Sequence, residues 1–167
     1  MFESIDLEEI LVNASRCSKV TKGGRKFSFF AIVVVGNKNG KVGYGLGKAI
    51  EVIDAKFKAI KKAKQKMFKI PLKDGRTLHH NVIGKFGASI VKIKTAPSGR
   101  GVIAGGPIRS VFQVLGVKDV VAKSLGSNNA HNVIRATING LLKIQSPKMV
   151  SERRNKKVIQ IINRKKY

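Results

Sequence analysis

The sequence predicts an α+β fold: a β-β-β-α unit followed by a small α/β unit. Three observations carry that expectation. Glycine-rich turns separate β-branched and aromatic runs in the first third of the chain. Apolar stripes with a spacing of three and four mark helices after those runs. Prolines at 71 and 147 divide the 167 residues into segments 1–70, 71–146 and 147–167.

Ile10 to Val20 has strand character up to the polar end Arg16-Cys-Ser-Lys19. Lys22-Gly-Gly-Arg25 reads as a hairpin turn, because glycine reaches positive φ without steric cost. Phe27 to Val35 reads as a central strand, and Gly36-Asn-Lys-Asn-Gly40 as the next turn, with Asn and Gly in left-handed positions. Lys41 to Gly47 forms a third strand whose alternating glycines bare one face to a close neighbour. A helix is expected from about Lys48 to Met67. Its apolar face would hold Ala49, Ile53, Phe57, Ile60, Ala63 and Met67, with the lysines turned to water.

Beyond the turn at Asp74-Gly75, Leu78–Phe86 and Ser89–Ala96 read as a strand pair. In the second of these, Val91 and Ile93 alternate with Lys92 and Lys94, giving one core face and one basic face. Pro97 to Gly101 breaks the pattern before a short buried strand at Val102-Ile-Ala104. Pro107 opens a helix that Gly116 closes. Val117–Lys123 reads as a strand. Asn128 or Asn129 then caps a helix to about Ile144, with Val133, Ile134, Thr137 and Leu141 inward and Pro147 ending it. Residues 147–167 form a basic C-terminal extension with little core of its own.

Charge points to the partner. Thirty-four Lys and Arg stand against nine Asp and Glu, a formal net charge of +25. The three segments carry +9, +9 and +7, so the excess is spread along the whole chain. Such a molecule repels itself and calls for a polyanion touching several sides, with nucleic acid ahead of an anionic membrane.

Other classes fall away. No apolar run approaches the roughly 20 residues of a membrane span. The acidic start, MFESIDLEEIL, resembles neither a secretory signal nor a transit peptide. One cysteine, Cys17, excludes an internal disulfide and a multi-cysteine zinc site, and suits a reducing, cytosol-like compartment. Gly43-Tyr-Gly-Leu-Gly-Lys48 fails as a phosphate loop: Val42 stands where a glycine is needed, and Ala49 where a magnesium-binding hydroxyl is needed. Gly99-Arg-Gly-Val-Ile-Ala104, with Asp119 beyond it, fits the dinucleotide spacing. It follows a proline and precedes a strand, which is the wrong context. His79 and His80, read as strand neighbours on opposite faces, and His131 lack metal-ligand spacing. No base is placed to activate Ser89, Ser98 or Ser110. The expectation is no enzyme, no cofactor and no metal.

The informative stretch is TKGGRKFSF. A plain turn does not need Arg16, Lys19, Lys22, Arg25 and Lys26 gathered around it. Cations supply phosphate contacts, and glycine backbone lets N–H groups approach a sugar-phosphate chain. Phe27 and Phe29 are expected to anchor the strand. Lys92, Lys94 and Arg100 join the candidate RNA-contacting residues.

KGGRKFSF, VVVGNKNGKVGYGLGKAIEV, APSGRGVIAGGPIRSV and SLGSNNAHNVIRATINGL, in that order, closely resemble the family of the fifth protein of the bacterial small ribosomal subunit. The resemblance covers roughly residues 8–150. It implies a first unit similar to a double-stranded-RNA-binding fold and a second, α/β unit with a left-handed βαβ crossover. It implies a structural role: binding small-subunit rRNA where head meets body, contacts with the fourth and eighth small-subunit proteins, a place beside the path along which mRNA enters, and an influence on decoding accuracy. It assigns rRNA contact to Cys17, Ser18, Lys19, Lys22, Gly23, Gly24 and Arg25. It assigns contact with the fourth protein to Gly101 and Arg109. The implied location is the ribosome, in the cytoplasm or in an organelle that makes its own. A free double-stranded-RNA-binding module would also use β-β-β-α, but would leave residues 71–146 idle.

Overall fold

The computed structural model describes residues 7–163; the acidic residues of 1–6 and Arg164, Lys165 and Lys166 of the basic extension lie outside them. Two four-stranded sheets carry the fold. The first has the order β1-β2-β3-β4, from β1 (Glu8–Thr21), β2 (Gly24–Gly36), β3 (Lys41–Ala49) and β4 (Met67–Lys69). Helix α1 (Val52–Gln65) packs on one side of it. The second sheet has the order β5-β6-β8-β7, from β5 (Val82–Phe86), β6 (Ser89–Thr95), β7 (Val102–Ile103) and β8 (Val120–Gly126). Helix α2 (Gly106–Leu115) links the parallel strands β7 and β8, and α3 (Ala130–Leu142) covers β5 and β6. Helices α4 (Pro147–Arg154) and α5 (Val158–Asn163) make up the extension.

The bare face of β3 decides how α1 sits. A Cβ on Gly43, Gly45 or Gly47 would run into the carbonyl oxygens of Ala63, Ala59 and Ala55 respectively. The helix therefore lies almost on the strand, and only small side chains fit between. Ala55, Ala59 and Ala63 are buried there, and Ile60 is buried beside them. This corrects the expected helix face: Ile53 and Phe57 are 64% and 65% exposed, Ala49 ends β3, and Met67 starts β4. An apolar stripe of large residues would hold the helix off the glycines. The helical lysines do face water as expected.

Further expectations shift for similar local reasons. In the 36–40 turn, Lys38 and Gly40 take positive φ, while the Asn37 carboxamide oxygen accepts hydrogen bonds from the Asn39 and Lys41 amides. His79 and His80 precede β5 in a bend and share no strand; His80 Nε2 accepts from the Gln145 amide at 3.1 Å. β7 is an edge strand with Ile103 exposed. Residues 117–119 lie ahead of β8 because the Lys118 and Asp119 amides donate to the Arg76 carbonyl. Pro107 sits in the first turn of α2, Gly116 closes that helix at φ 87°, and Asn129 caps α3. Pro147 lies five residues beyond α3 and opens α4.

One hydrophobic cluster joins the two sheets. Ile32 and Val34 of β2 and Val42 of β3 pack with Val111, Phe112 and Leu115 of α2. At this seam the Lys38 and Gly40 amides donate to the carbonyls of Val114 and Leu115 at 2.9 and 3.1 Å. A side chain at Gly36 or Gly116 would meet backbone from the other half. The second sheet and helices α2 and α3 thus share a hydrophobic cluster with the first sheet.

Candidate nucleic-acid interface

The β1–β2 hairpin outgrows its core. Its inner half, Ala31 to Gly36, is fully buried, whereas Asn13 to Phe27 is exposed or, at Cys17 and Thr21, half-buried. Pairing runs in unbroken register from Asn13↔Ile32 to Thr21↔Gly24, closed by a two-residue turn at Lys22-Gly23. Of the two glycines only Gly24 takes positive φ, at 129°, and neither would meet an atom within 4 Å if it carried a Cβ. From Ser15 to the turn the ribbon extends about 20 Å at the rise of a β-strand. A lone two-stranded ribbon is marginal in water, and among the described residues nothing is layered over the end of this one.

Strand alternation sorts the side chains. Cys17, Lys19, Lys26 and Ser28 share one face; Arg16, Ser18, Val20, Arg25, Phe27 and Phe29 share the other. Lys19 stands directly opposite Lys26. Like charges in that position oppose pairing. No Asp or Glu occurs between residues 10 and 50 to offset them. Among the described residues the ion pairs are Lys38–Glu8, Lys64–Glu9 and Arg76–Asp119, so the ribbon cations pair with no carboxylate among those residues.

The structure therefore gathers Arg16, Cys17, Ser18, Lys19, Lys22, Gly23, Gly24, Arg25 and Lys26 on one projection. It places Lys92 and Lys94 elsewhere, on the outer face of the second sheet. Lys92 opposes Lys123 there, and Lys85 lies one strand over. Lys85 and Lys123 escaped the sequence reading, although the alternation that exposed Lys92 also governs them. The lysine face of α1, singled out by the sequence pattern, contributes Lys58, Lys61 and Lys62 to a depression of about 370 Å³ that Lys48 and Gln65 complete.

Arg100 is exposed at the loop before β7, and that loop is held by Asp119. One carboxylate oxygen of Asp119 accepts the Gly99 and Gly101 amides at 2.9 and 3.0 Å; the other takes Arg76 Nε and Nη2 at 3.1 and 3.0 Å. The Gly101 amide, with help from Arg76, holds this carboxyl below its ordinary range despite burial. Asp119 thus builds a loop and leaves no oxygen for a ribose. Gly101 lies in the loop, and Arg109 is exposed on the first turn of α2. Burial lowers the pKa of His79 and of His131, and neighbouring cations lower both further. Among the described residues no three His, Cys, Asp or Glu side chains converge as metal ligands, and no helix is long and apolar enough to cross a membrane.

Fold and ribbon together define a class: an α+β protein whose two sheets are joined by a shared hydrophobic cluster, with a cationic β-hairpin standing off the first sheet. Comparison with known proteins narrows the class. The family model for the ribosomal protein S5 N-terminal domain matches residues 7–71, and that for the ribosomal protein S5 C-terminal domain matches residues 84–154. The chain is 54% identical over 160 residues to the small ribosomal subunit protein uS5 of Ruegeria sp. (strain TM1040), covering 96% of this chain and 86% of the relative. Against the uS5 protein of Anaplasma phagocytophilum (strain HZ) it is 54% identical over 159 residues, 95% of this chain and 92% of the relative. The chain belongs to the ribosomal protein S5 family.

Proposed function

We propose that this chain is a structural constituent of the small ribosomal subunit and grips small-subunit rRNA through the β1–β2 ribbon. One observation carries the reading: five cations crowd an exposed ribbon end and pair with no carboxylate among the described residues, at a cost to strand pairing that an external polyanion would reverse. The outer lysines of the second sheet supply a second phosphate-facing surface, in keeping with charge spread over all segments. Arg100 extends the set beside β7.

Family membership supports the finer assignments. The first unit acts as a double-stranded-RNA-binding-like domain over residues 1–70, the second spans 71–146, and the β7–α2–β8 unit takes the left-handed crossover. The protein sits where head meets body, beside the fourth and eighth small-subunit proteins and the path of incoming mRNA. Gly101 and Arg109 face the fourth protein. If subunit closure breaks that contact, weakening it favours the closed, permissive state. Arg109→Leu then raises miscoding in a reporter assay; an error rate equal to wild type rejects this role.

Sedimentation tests the main reading. Tagged full-length chain should travel with small subunits in a sucrose gradient and be released by high salt. Chain that stays at the top of the gradient at low salt overturns the proposal.

A further inference from the structure

The ribbon carries more than charge. Phe27 was expected to anchor the strand, yet it is 50% exposed, and Val20 on the same face is 73% exposed. The guanidinium of Arg16 lies over the Phe27 ring, with Cζ 4.8 Å from the ring centroid. Arg16 and Phe27 are diagonal neighbours across the strands, since Arg16 pairs with Phe29 and Ser18 with Phe27. A flat cation thus rests on a flat ring at the unsupported end of the ribbon. Core burial does not explain the ring: the buried run on this face begins at Ala31 and continues through Val33 and Val35 beneath α1.

We propose that Arg16 and Phe27 form a stacking site for an unpaired base of the RNA that the ribbon grips. The inference rests on the proposed RNA contact of the ribbon and adds what that contact selects. Phosphate binding requires only cations. An exposed ring with a guanidinium 4.8 Å over it suits a planar, polarisable ligand joined to an anion, which describes a nucleotide whose base has left its stack. Unpaired bases in RNA are recognised on such aromatic and guanidinium planes. An acidic peptide would match the charge and leave the plane unused. The outer face of the second sheet supplies the contrast. There Lys85, Lys92, Lys94 and Lys123 alternate with Ile83, Ile90, Val121 and Leu125, and no aromatic side chain is present. That face is suited to phosphate alone.

The chain has no tryptophan, so Phe27→Trp places a single indole reporter at the site. Full-length F27W protein is titrated at low salt with three probes: a single-stranded oligoadenylate, a blunt RNA duplex and inorganic polyphosphate. All three should bind, and the single strand should quench indole emission about twofold or more while polyphosphate leaves it unchanged. Phe27→Leu should weaken single-strand binding roughly tenfold, the scale of one stacked base, with duplex and polyphosphate affinities held. Phe27→Tyr should restore single-strand binding. Arg16→Lys keeps the charge and loses the plane, so it should share the selective defect. Equal quenching by polyphosphate, or single-strand affinity untouched by Phe27→Leu, overturns the stacking site alone. Failure of all three probes to bind overturns the RNA reading of the ribbon and the stacking site with it.

Discussion

Two groups of glycines in the first sheet do opposite work. Gly43, Gly45 and Gly47 lie against the backbone of α1, where a Cβ has no room. Gly23 and Gly24 close the ribbon, where a Cβ would meet nothing within 4 Å. In β3 the missing side chain is filled by a helix of the same chain. At the tip no described residue fills it. The contrast shows that glycine content alone does not reveal purpose; the neighbouring element does. It also divides the hairpin into an inner half that belongs to the core and an outer half that is largely exposed.

The sharpest way to break this contrast is to add side chains on both sides of it. Gly47→Val should destabilise the protein by on the order of 3–5 kcal/mol in denaturant unfolding, because helix and strand must separate. Full stability in that variant would remove the packing role given to β3.

Asp119 tests the core side by titration. Its carboxyl is held below 3.8, first by the Gly101 amide, so its stabilisation is complete above that value. It is lost as pH falls through the lower native value, where the unfolded chain binds the proton more readily. His79 and His131 pull in the same direction from a higher pH. Each is favoured neutral in the fold, so stability falls as pH drops below 6.5. Asp119→Asn should lower the melting temperature at neutral pH and flatten the decline below pH 3.8, leaving the histidine limb in place. An unchanged acid limb would show that the loop does not depend on this carboxylate.

The outer half should respond in the opposite sense. Lys19→Gln with Lys26→Gln removes a like-charge pair and should leave stability equal or raise it by up to about 1 kcal/mol. The same variant should bind rRNA less tightly in a filter assay. Destabilisation by more than that would return the outer ribbon to the core. The smallest change is expected of Gly23→Ala, within about 0.5 kcal/mol of wild type in the same unfolding assay.

Much of this was legible in the sequence. Strand runs, proline and glycine boundaries, the bare face of β3, the Gly116 cap and the buried stripe of α3 follow from local chemistry. The face of α1 did not. Ala55, Ala59 and Ala63 are as periodic as Ile53 and Phe57, and the deciding glycines lie in another element. β4 is three residues long and depends on an edge of β3 for its existence. Helices α4 and α5 bury too little to leave a clear apolar stripe. At the site, the cations were visible as a cluster. The Arg16–Phe27 contact was not, since it depends on a register set by the turn. The Asp119–Arg76 pair spans 43 positions and was masked by a dinucleotide-like spacing.

The slope of log affinity against log salt bears on the core proposition, that the ribbon cations neutralise RNA phosphates. Full-length wild type is compared on small-subunit rRNA with the variant Lys19→Gln, Lys22→Gln, Arg25→Gln, Lys26→Gln. If each cation holds one phosphate, the slope should be shallower by about 3 in the variant, at roughly 0.7–0.9 per contact. Identical slopes would mean that the ribbon does not hold the RNA.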